Sequence, residues 1–313
     1  MSGTWQQERM SSYFNRLAED VCLSVRTLLA EVIAAEIGVS NLVPGKILSY
    51  VDSAAPASIR LIAAVERLTG LENMRRLTLC SVDVFCSTAD DHRTSAAYCP
   101  ICLEEALTRL GCCFTPLVWA LKSYQICIAH RVPLASQCPY CGNDKLRSLY
   151  GGSRNGCCHN CRRWLGKAAA DGLRETDPKL LELSLCAAEI VAFASSEAKK
   201  VDAWSLVTGI LHSRMDGNIS LLCRAMSTSI ERVVRIVVYK ARPSVSEWMA
   251  LSNLARCSVS DLLAGDALPN VSLPSRNIKL ADLAKEFGKI VNGLSRSDAG
   301  CTESIDLLED ALI

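Results

Sequence analysis

The chain has 313 residues and a mass of 34.0 kDa, too long for one small module and enough for two or three compact units with their own cores. Half of the residues are hydrophobic and 21% are charged, which excludes wholesale disorder. A formal net charge of +1 projects no global field toward a polyanion, so any nucleic-acid contact must come from local patches. Aromatic residues are scarce at 5%, and the prevalence of Leu, Ala and Val favours helices. The first residues are polar, without a signal-type apolar stretch. The apolar run around 183–194 is broken by Glu189 and too short for a bilayer. A soluble cytoplasmic protein with no membrane partner is expected.

In chain order, residues 1–95 read as an N-terminal helical unit of helix-turn-helix character, a plain interaction bundle being the alternative. A short helix opens at 11–18 with Phe14, Leu17 and Ala18 on one face. Ser24 then caps a run in which Leu28, Leu29, Val32, Ile33 and Ile37 recur at helical spacing. Pro44 in a first-turn position predicts a helix over 46–51. The next spans 56–68, apolar at Ile59, Ile62, Ala63 and Val65 and stopped by Gly70, and a short one follows at 72–77.

Residues 96–168 hold the sharpest signal. Ten of the seventeen cysteines fall between Cys99 and Cys161. Four pairs share one spacing: Cys99 with Cys102, Cys127 with His130, Cys138 with Cys141, and Cys158 with Cys161. Two residues between ligands let a tight knuckle present both side chains to one tetrahedral ion. Eight ligands imply two zinc ions, one held by three thiolates and an imidazole, the other by four thiolates. All coordination positions are then filled by protein, which leaves none for an activated water, so the zinc is structural and no catalytic residue is expected.

Two enzymatic readings are weaker. Cys138-Pro139-Tyr140-Cys141 matches a dithiol redox motif, but Gly142 and three neighbouring knuckles argue for metal. A zinc deaminase needs His-x-Glu before Pro-Cys-x-x-Cys, and His130 is followed by Arg131 and Val132. Which ligands share an ion stays open, a cross-braced alternation included, and Cys157 or His159 could replace Cys158. Cys80, Cys86, Cys112 and Cys113 read as small core residues and His92 as a surface-loop residue. A helix is expected at 103–110 and a strand at 118–126 carrying Trp119 and Tyr124. Between 97 and 167 nine Lys or Arg face three Asp or Glu, and Arg162 and Arg163 lie in a basic cluster suited to a phosphate backbone.

After a linker at 168–177, residues 178–313 read as a C-terminal helical domain. Helices are predicted at 179–195 and 201–211, followed by a helix-turn-helix-like segment at about 217–265 built from 221–226, 227–239, 244–255 and 259–263. In its second helix Ile230, Val233, Val234 and Val237 form the buried stripe. Ser229, Arg232 and Arg235 point away from it, and with Lys240 and Arg242 they are the candidate nucleic-acid contacts. A helix over 280–290 and an acidic end at 303–310 complete the chain.

These parts in this order resemble the TniQ family, the targeting subunits of heteromeric Tn7-like transposons. The similarity begins at Ser11-Ser12-Tyr13-Phe14-Asn15-Arg16-Leu17-Ala18 and continues through Leu68-Thr69-Gly70 and Arg76-Leu77-Thr78. It is strongest at Tyr98-Cys99-Pro100-Ile101-Cys102-Leu103, Trp119, Cys127-Ile128-Ala129-His130, Leu134, Cys138-Pro139-Tyr140-Cys141-Gly142 and residues 158–165. The resemblance implies a mainly α fold with a small zinc-ribbon or zinc-finger region, and a non-catalytic adaptor. Its implied partners are an AAA+ ATPase that recruits the transposase, target DNA, a CRISPR effector complex with guide RNA in some systems, and a second copy as a homodimer. A TnsD-like attachment-site reader or a zinc-containing transcription regulator is the alternative.

Overall fold

The computed structural model describes residues 4–37, 50–150, 152–166, 177–196, 203–237 and 239–265, all within one compact unit, Met1–Pro269. The helices predicted at 46–51 (but for its last two residues) and 280–290, the linker at 168–177 but for Asp177, and the acidic end lie outside the described residues. The described part is mainly helical, and none of its helices is long and apolar enough to cross a membrane.

Helix α1, Met10–Asp20, buries Met10, Phe14 and Ala18. It also buries Ser11, Ser12 and Asn15, so its polar positions too are packed into protein. In α2, Ser24 Oγ accepts from the backbone N–H of Thr27, and the helix runs as Val25–Thr27, a π-helical Leu28–Ile33, then Ala34–Ile37. The wider π turn shifts the stripe, so Leu28, Leu29 and Ile33 are buried while Val32 faces out. Helix α3, Pro56–Thr69, ends on Gly70 in the left-handed region at φ 67°. Its buried face is Ser58, Leu61, Ile62, Ala64 and Val65. Ile59, expected inside, lies one position off that stripe and is 46% exposed. Only Met74–Leu77 of the next predicted helix forms, as a 3-10 turn.

Helix α4, Pro100–Leu110, follows Cys99 and ends on Gly111 at φ 66°. The strand predicted at 118–126 is absent. Pro116 leads into a 3-10 turn, Leu117–Ala120, in which every residue is buried. A short continuous apolar run sunk in the core suits a buried strand and a buried helical turn alike, and periodicity cannot separate them. Trp119 and Tyr124 are nevertheless fully buried. The strands among the described residues are β1, Ile126–Cys127, and β2, Val132–Pro133, antiparallel with Cys127 opposite Val132.

The C-terminal helices are α5 (Pro178–Ser195), α6 (Ala203–Met215), α7 (Ile219–Ala225), α8 (Ile230–Val237), α9 (Val245–Ala255) and α10 (Val259–Ala264). Helix α5 packs on α9 and α10, and α6 on α7, α8 and α9. Helix α8 is shorter than predicted: Ser227, at φ 49°, belongs to the turn before it. Val233, Ile236 and Val237 are buried, with Ile230 and Val234 only half-buried. Ser244 and Glu247 form a reciprocal capping box that starts α9 directly after Pro243.

Side chains bind the parts together. Ser184 Oγ on α5 accepts from the backbone N–H groups of Gln125 and Ile126 at 3.1 and 3.0 Å. The Trp248 indole donates to the Phe85 carbonyl, and Phe85 meets Phe193 edge-on with ring centroids 5.7 Å apart.

Candidate metal centres

The four sequence pairs converge into two groups, Cys99, Cys102, Cys127 and His130 in one and Cys138, Cys141, Cys158 and Cys161 in the other. Pairs adjacent in sequence share a group, so the open question of alternation is answered by geometry. Within each group the candidate ligand atoms all lie within 4.8 Å of one another.

Local backbone explains how each pair points inward. After His130, Cys141 and Cys161 the next residue takes a left-handed conformation: Arg131 at φ 54°, Gly142 at φ 68° and Arg162 at φ 64°. Its N–H then returns to the carbonyl of the first residue of the pair, at 2.7 Å for Cys127, 2.9 Å for Cys138 and 2.9 Å for Cys158. Three pairs are thus the same knuckle. The remaining pair is different, with Cys99 preceding α4 and Cys102 in its first turn.

The spacings suit an ion. In the first group His130 Nδ1 lies 3.5, 3.3 and 3.5 Å from the sulfurs of Cys99, Cys102 and Cys127, and the Cys102 and Cys127 sulfurs are 3.5 Å apart. In the second, Cys138 and Cys161 are 3.7 Å apart and Cys141 and Cys158 3.8 Å. A zinc tetrahedron with bonds of ~2.3 Å to sulfur and ~2.0 Å to nitrogen has edges of about 3.5–3.8 Å. A disulfide needs about 2.05 Å, so none of these contacts is one.

Electrostatics point the same way. Hydrogen bonds from the Cys102 and Cys99 thiols hold Cys127 far below its ordinary value, while the same contacts and burial push Cys102 up. Proteins alone let such a cluster carry little negative charge, and a dication is what allows several thiolates to coexist. In the second group Cys141 is held down to about 6, by the Asn143 backbone N–H and then by the Asn160 amide.

A further residue was not foreseen. His130 turns Nδ1 to the sulfurs and Nε2 to Glu105, whose carboxylate lies 3.3 Å away. A carboxylate behind a ligating imidazole fixes its orientation and tautomer. The signal was present: Glu105 follows Cys102 by one turn of α4, on the same face.

Cys157 and His159 are not in either group. Cys157 is half-buried and pairs by its backbone with Trp164, while His159 Nδ1 accepts from the Arg147 N–H and its ring lies against Tyr150. Cys80, Cys86 and Cys113 are buried as expected, but Cys112 is exposed at the end of α4. His92, expected on the surface, is half-buried, and burial lowers its pKa.

The buried polar residues of α1 meet this region. Asn155 Nδ2 donates to the carbonyls of Ser12 and Cys113 and lies 3.0 Å from Ser12 Oγ, and its Oδ1 accepts from Asn15. Ser153 Oγ donates to Asn15 Oδ1 at 2.7 Å.

The candidate nucleic-acid side chains are dispersed. Arg232 is clamped by Glu247, Nε and Nη2 each 2.8 Å from a carboxylate oxygen, and also donates to the Arg242 carbonyl. Arg242 pairs with Asp83 at 2.6 Å, and Arg235 with Glu231 one turn away. Lys240 sits over the Trp204 ring and Arg163 over Tyr140, while Arg162 donates to the Gly152 carbonyl. Ser229 Oγ accepts from the Arg232 N–H at the start of α8.

Compared with family models, residues 3–134 match the one described as TniQ. The match takes in the whole of the first ligand group and ends before Cys138. No curated protein matches the chain.

Proposed function

From the premise that the chain belongs to the TniQ family, by its domain at residues 3–134, we propose that it is a non-catalytic adaptor of Tn7-like transposition, joining a target-site recognition complex to an AAA+ ATPase. Transposition targeting is the family's role; the partners are our reading. What supports it is the family match at residues 3–134, together with a group of four protein side chains that would fill the coordination of one zinc ion and leave no position for substrate.

Zinc held by Cys99, Cys102, Cys127 and His130, and a second ion held by Cys138, Cys141, Cys158 and Cys161, would brace loops too short to bury a core of their own. The functional division follows residues 1–95, 96–168 and 178–313. Two weakly binding surfaces on one chain raise the effective concentration of each partner for the other, so assembly forms only where both are present. That work belongs in the cytoplasm, where DNA, a guide-RNA effector complex and a second copy of the chain are within reach.

Backbone contacts to DNA or RNA fall to Arg162, Arg163, Arg235 and Lys240, whose present partners are weak or exposed. Arg232 and Arg242 join them only if Glu247 and Asp83 give up their arginines, and Ser229, whose hydroxyl accepts from the Arg232 N–H, would donate its own proton outward. The alternative, an attachment-site reader, is favoured by one feature, the two short helices Ile219–Ala225 and Ile230–Val237 joined by a tight turn.

The test is co-purification of the full chain with a Tn7-like AAA+ ATPase in the presence of ATP and duplex DNA. Retention of the ATPase is expected. An ATPase that assembles on DNA yet never retains the chain sinks the adaptor reading, and sequence-specific protection of DNA by the chain alone selects the alternative.

A further inference from the structure

Arg9 is an unusual side chain for its position. It is only 4% exposed, and burial lowers its pKa, with Asp52 opposing that effect. Its Nε donates to Thr115 Oγ1 at 2.7 Å. The nearest carboxylate oxygen, on Asp52, is 3.9 Å from Nε, and both Asp52 oxygens already accept from Ser11, at 2.8 and 2.7 Å. Among the described residues neither Nη nitrogen of Arg9 has a hydrogen-bond partner, and neither is sealed in protein. Arg9 is one of the residues that line a cavity of about 250 Å³.

The rest of that cavity is polar and positive. Arg93 and Arg147 line it together with Arg9, against the single carboxylate of Asp52. Arg93 is spent on the carbonyls of Leu121 and Tyr124, at 2.9 and 2.8 Å. Arg147 is exposed and lies beside the Tyr150 ring, with no carboxylate partner among the described residues. His92, Thr94, Ser95 and Ser148 are also among the lining residues. The Asp52 carboxylate, 3.9 Å away and shared with Ser11, compensates the buried guanidinium only in part, and an anion entering the cavity would complete the compensation.

We propose that this cavity is a binding site for a phosphate group, with Arg9 and Arg147 as its two cationic clamps. The excess of positive charge suits an anion, and donors arriving from several directions suit a tetrahedral oxyanion better than a planar carboxylate. The site is separate from both metal centres and from the basic residues of α8, and the reading of the chain as an adaptor is not needed for it.

The experiment is a calorimetric titration of the full chain, purified without chelator, with inorganic phosphate and separately with acetate at constant ionic strength. Phosphate binds and raises the unfolding temperature, and acetate does neither. Arg147→Ala weakens phosphate binding about tenfold or more while leaving the unfolding temperature in chloride unchanged. Arg9→Lys keeps the charge but loses the fork and weakens binding as well. If Arg9→Lys does not fold, Arg147→Ala alone decides. Displacement of phosphate by a short DNA strand lacking terminal phosphates assigns the site to a nucleic-acid backbone, and no displacement assigns it to free phosphate or a mononucleotide. Equal binding of acetate, or phosphate affinity unaltered by Arg147→Ala, overturns the proposal.

Discussion

Two glycines in the metal-bearing region carry different burdens. Gly142 closes a knuckle at φ 68°, and a Cβ there meets nothing nearer than the Gln137 amide at 3.9 Å. Gly142→Ala therefore costs only the left-handed backbone, about 1 kcal/mol. Gly156, at φ 73°, lies under Trp164, where a Cβ would come within 2.2 Å of the ring. The indole cannot withdraw freely, because its Nε1 donates to Glu104 at 2.7 Å. Gly156→Ala adds a clash to the backbone strain and costs on the order of 3 kcal/mol or more. Denaturant unfolding of the two variants with metal present checks the ranking, and equal losses would show that the Trp164 contact is soft. The glycine after Cys141 was legible as a turn former. The burden on Gly156 was not, since Trp164 reaches it only through the fold.

At the scale of elements, the join between α8 and α9 rests on Glu247. Its carboxylate accepts from the Ser244 N–H in the capping box and from two nitrogens of Arg232. Burial opposes its charge, but the hydrogen bonds from Arg232 and Ser244 outweigh burial and hold its pKa below the ordinary value. A depressed carboxyl stabilises the fold fully above its ordinary range, and that contribution disappears as pH falls through the lowered value. Glu247→Gln is expected to lose about 2 kcal/mol at neutral pH, with the difference from wild type closing below about pH 4. Chemical denaturation of both proteins across that range gives the answer, and a pH-independent difference would place the loss in packing instead. Periodicity found Val233 and Val237 of the buried stripe of α8 and set Arg235 outside it, but missed Ile236 and counted the half-buried Ile230 and Val234 as core. What periodicity lacks is the neighbour: an arginine on the polar face reads as free until another helix brings a carboxylate to it.

For the molecule as a whole, the metal groups are expected to govern stability. Native protein should contain two equivalents of zinc by mass spectrometry, and Cys138→Ser should remove one of them. Chelation should lower the unfolding temperature of the whole unit, because the loop bearing the second group is hydrogen-bonded to α1 through Asn155 and Ser153 and the hairpin at Cys127 to α5 through Ser184. Full helicity and an unchanged unfolding temperature after metal removal would contradict a bracing role.

The candidate ligand residues and the main helices were readable from the chain itself, because a Cys-x-x-Cys knuckle, a Pro at a helix start and a Gly at its end are decided within a few residues. Cys158 could be preferred over Cys157 and His159 for the same local reason. Which pairs meet, that Leu117–Ala120 turns instead of extending, that Arg232 is held by Glu247, and that Arg9 borders a positive cavity were decided only in three dimensions. Each of those depends on residues far apart in sequence arriving at one place, and burial and charge compensation act on that meeting, not on the order of residues along the chain.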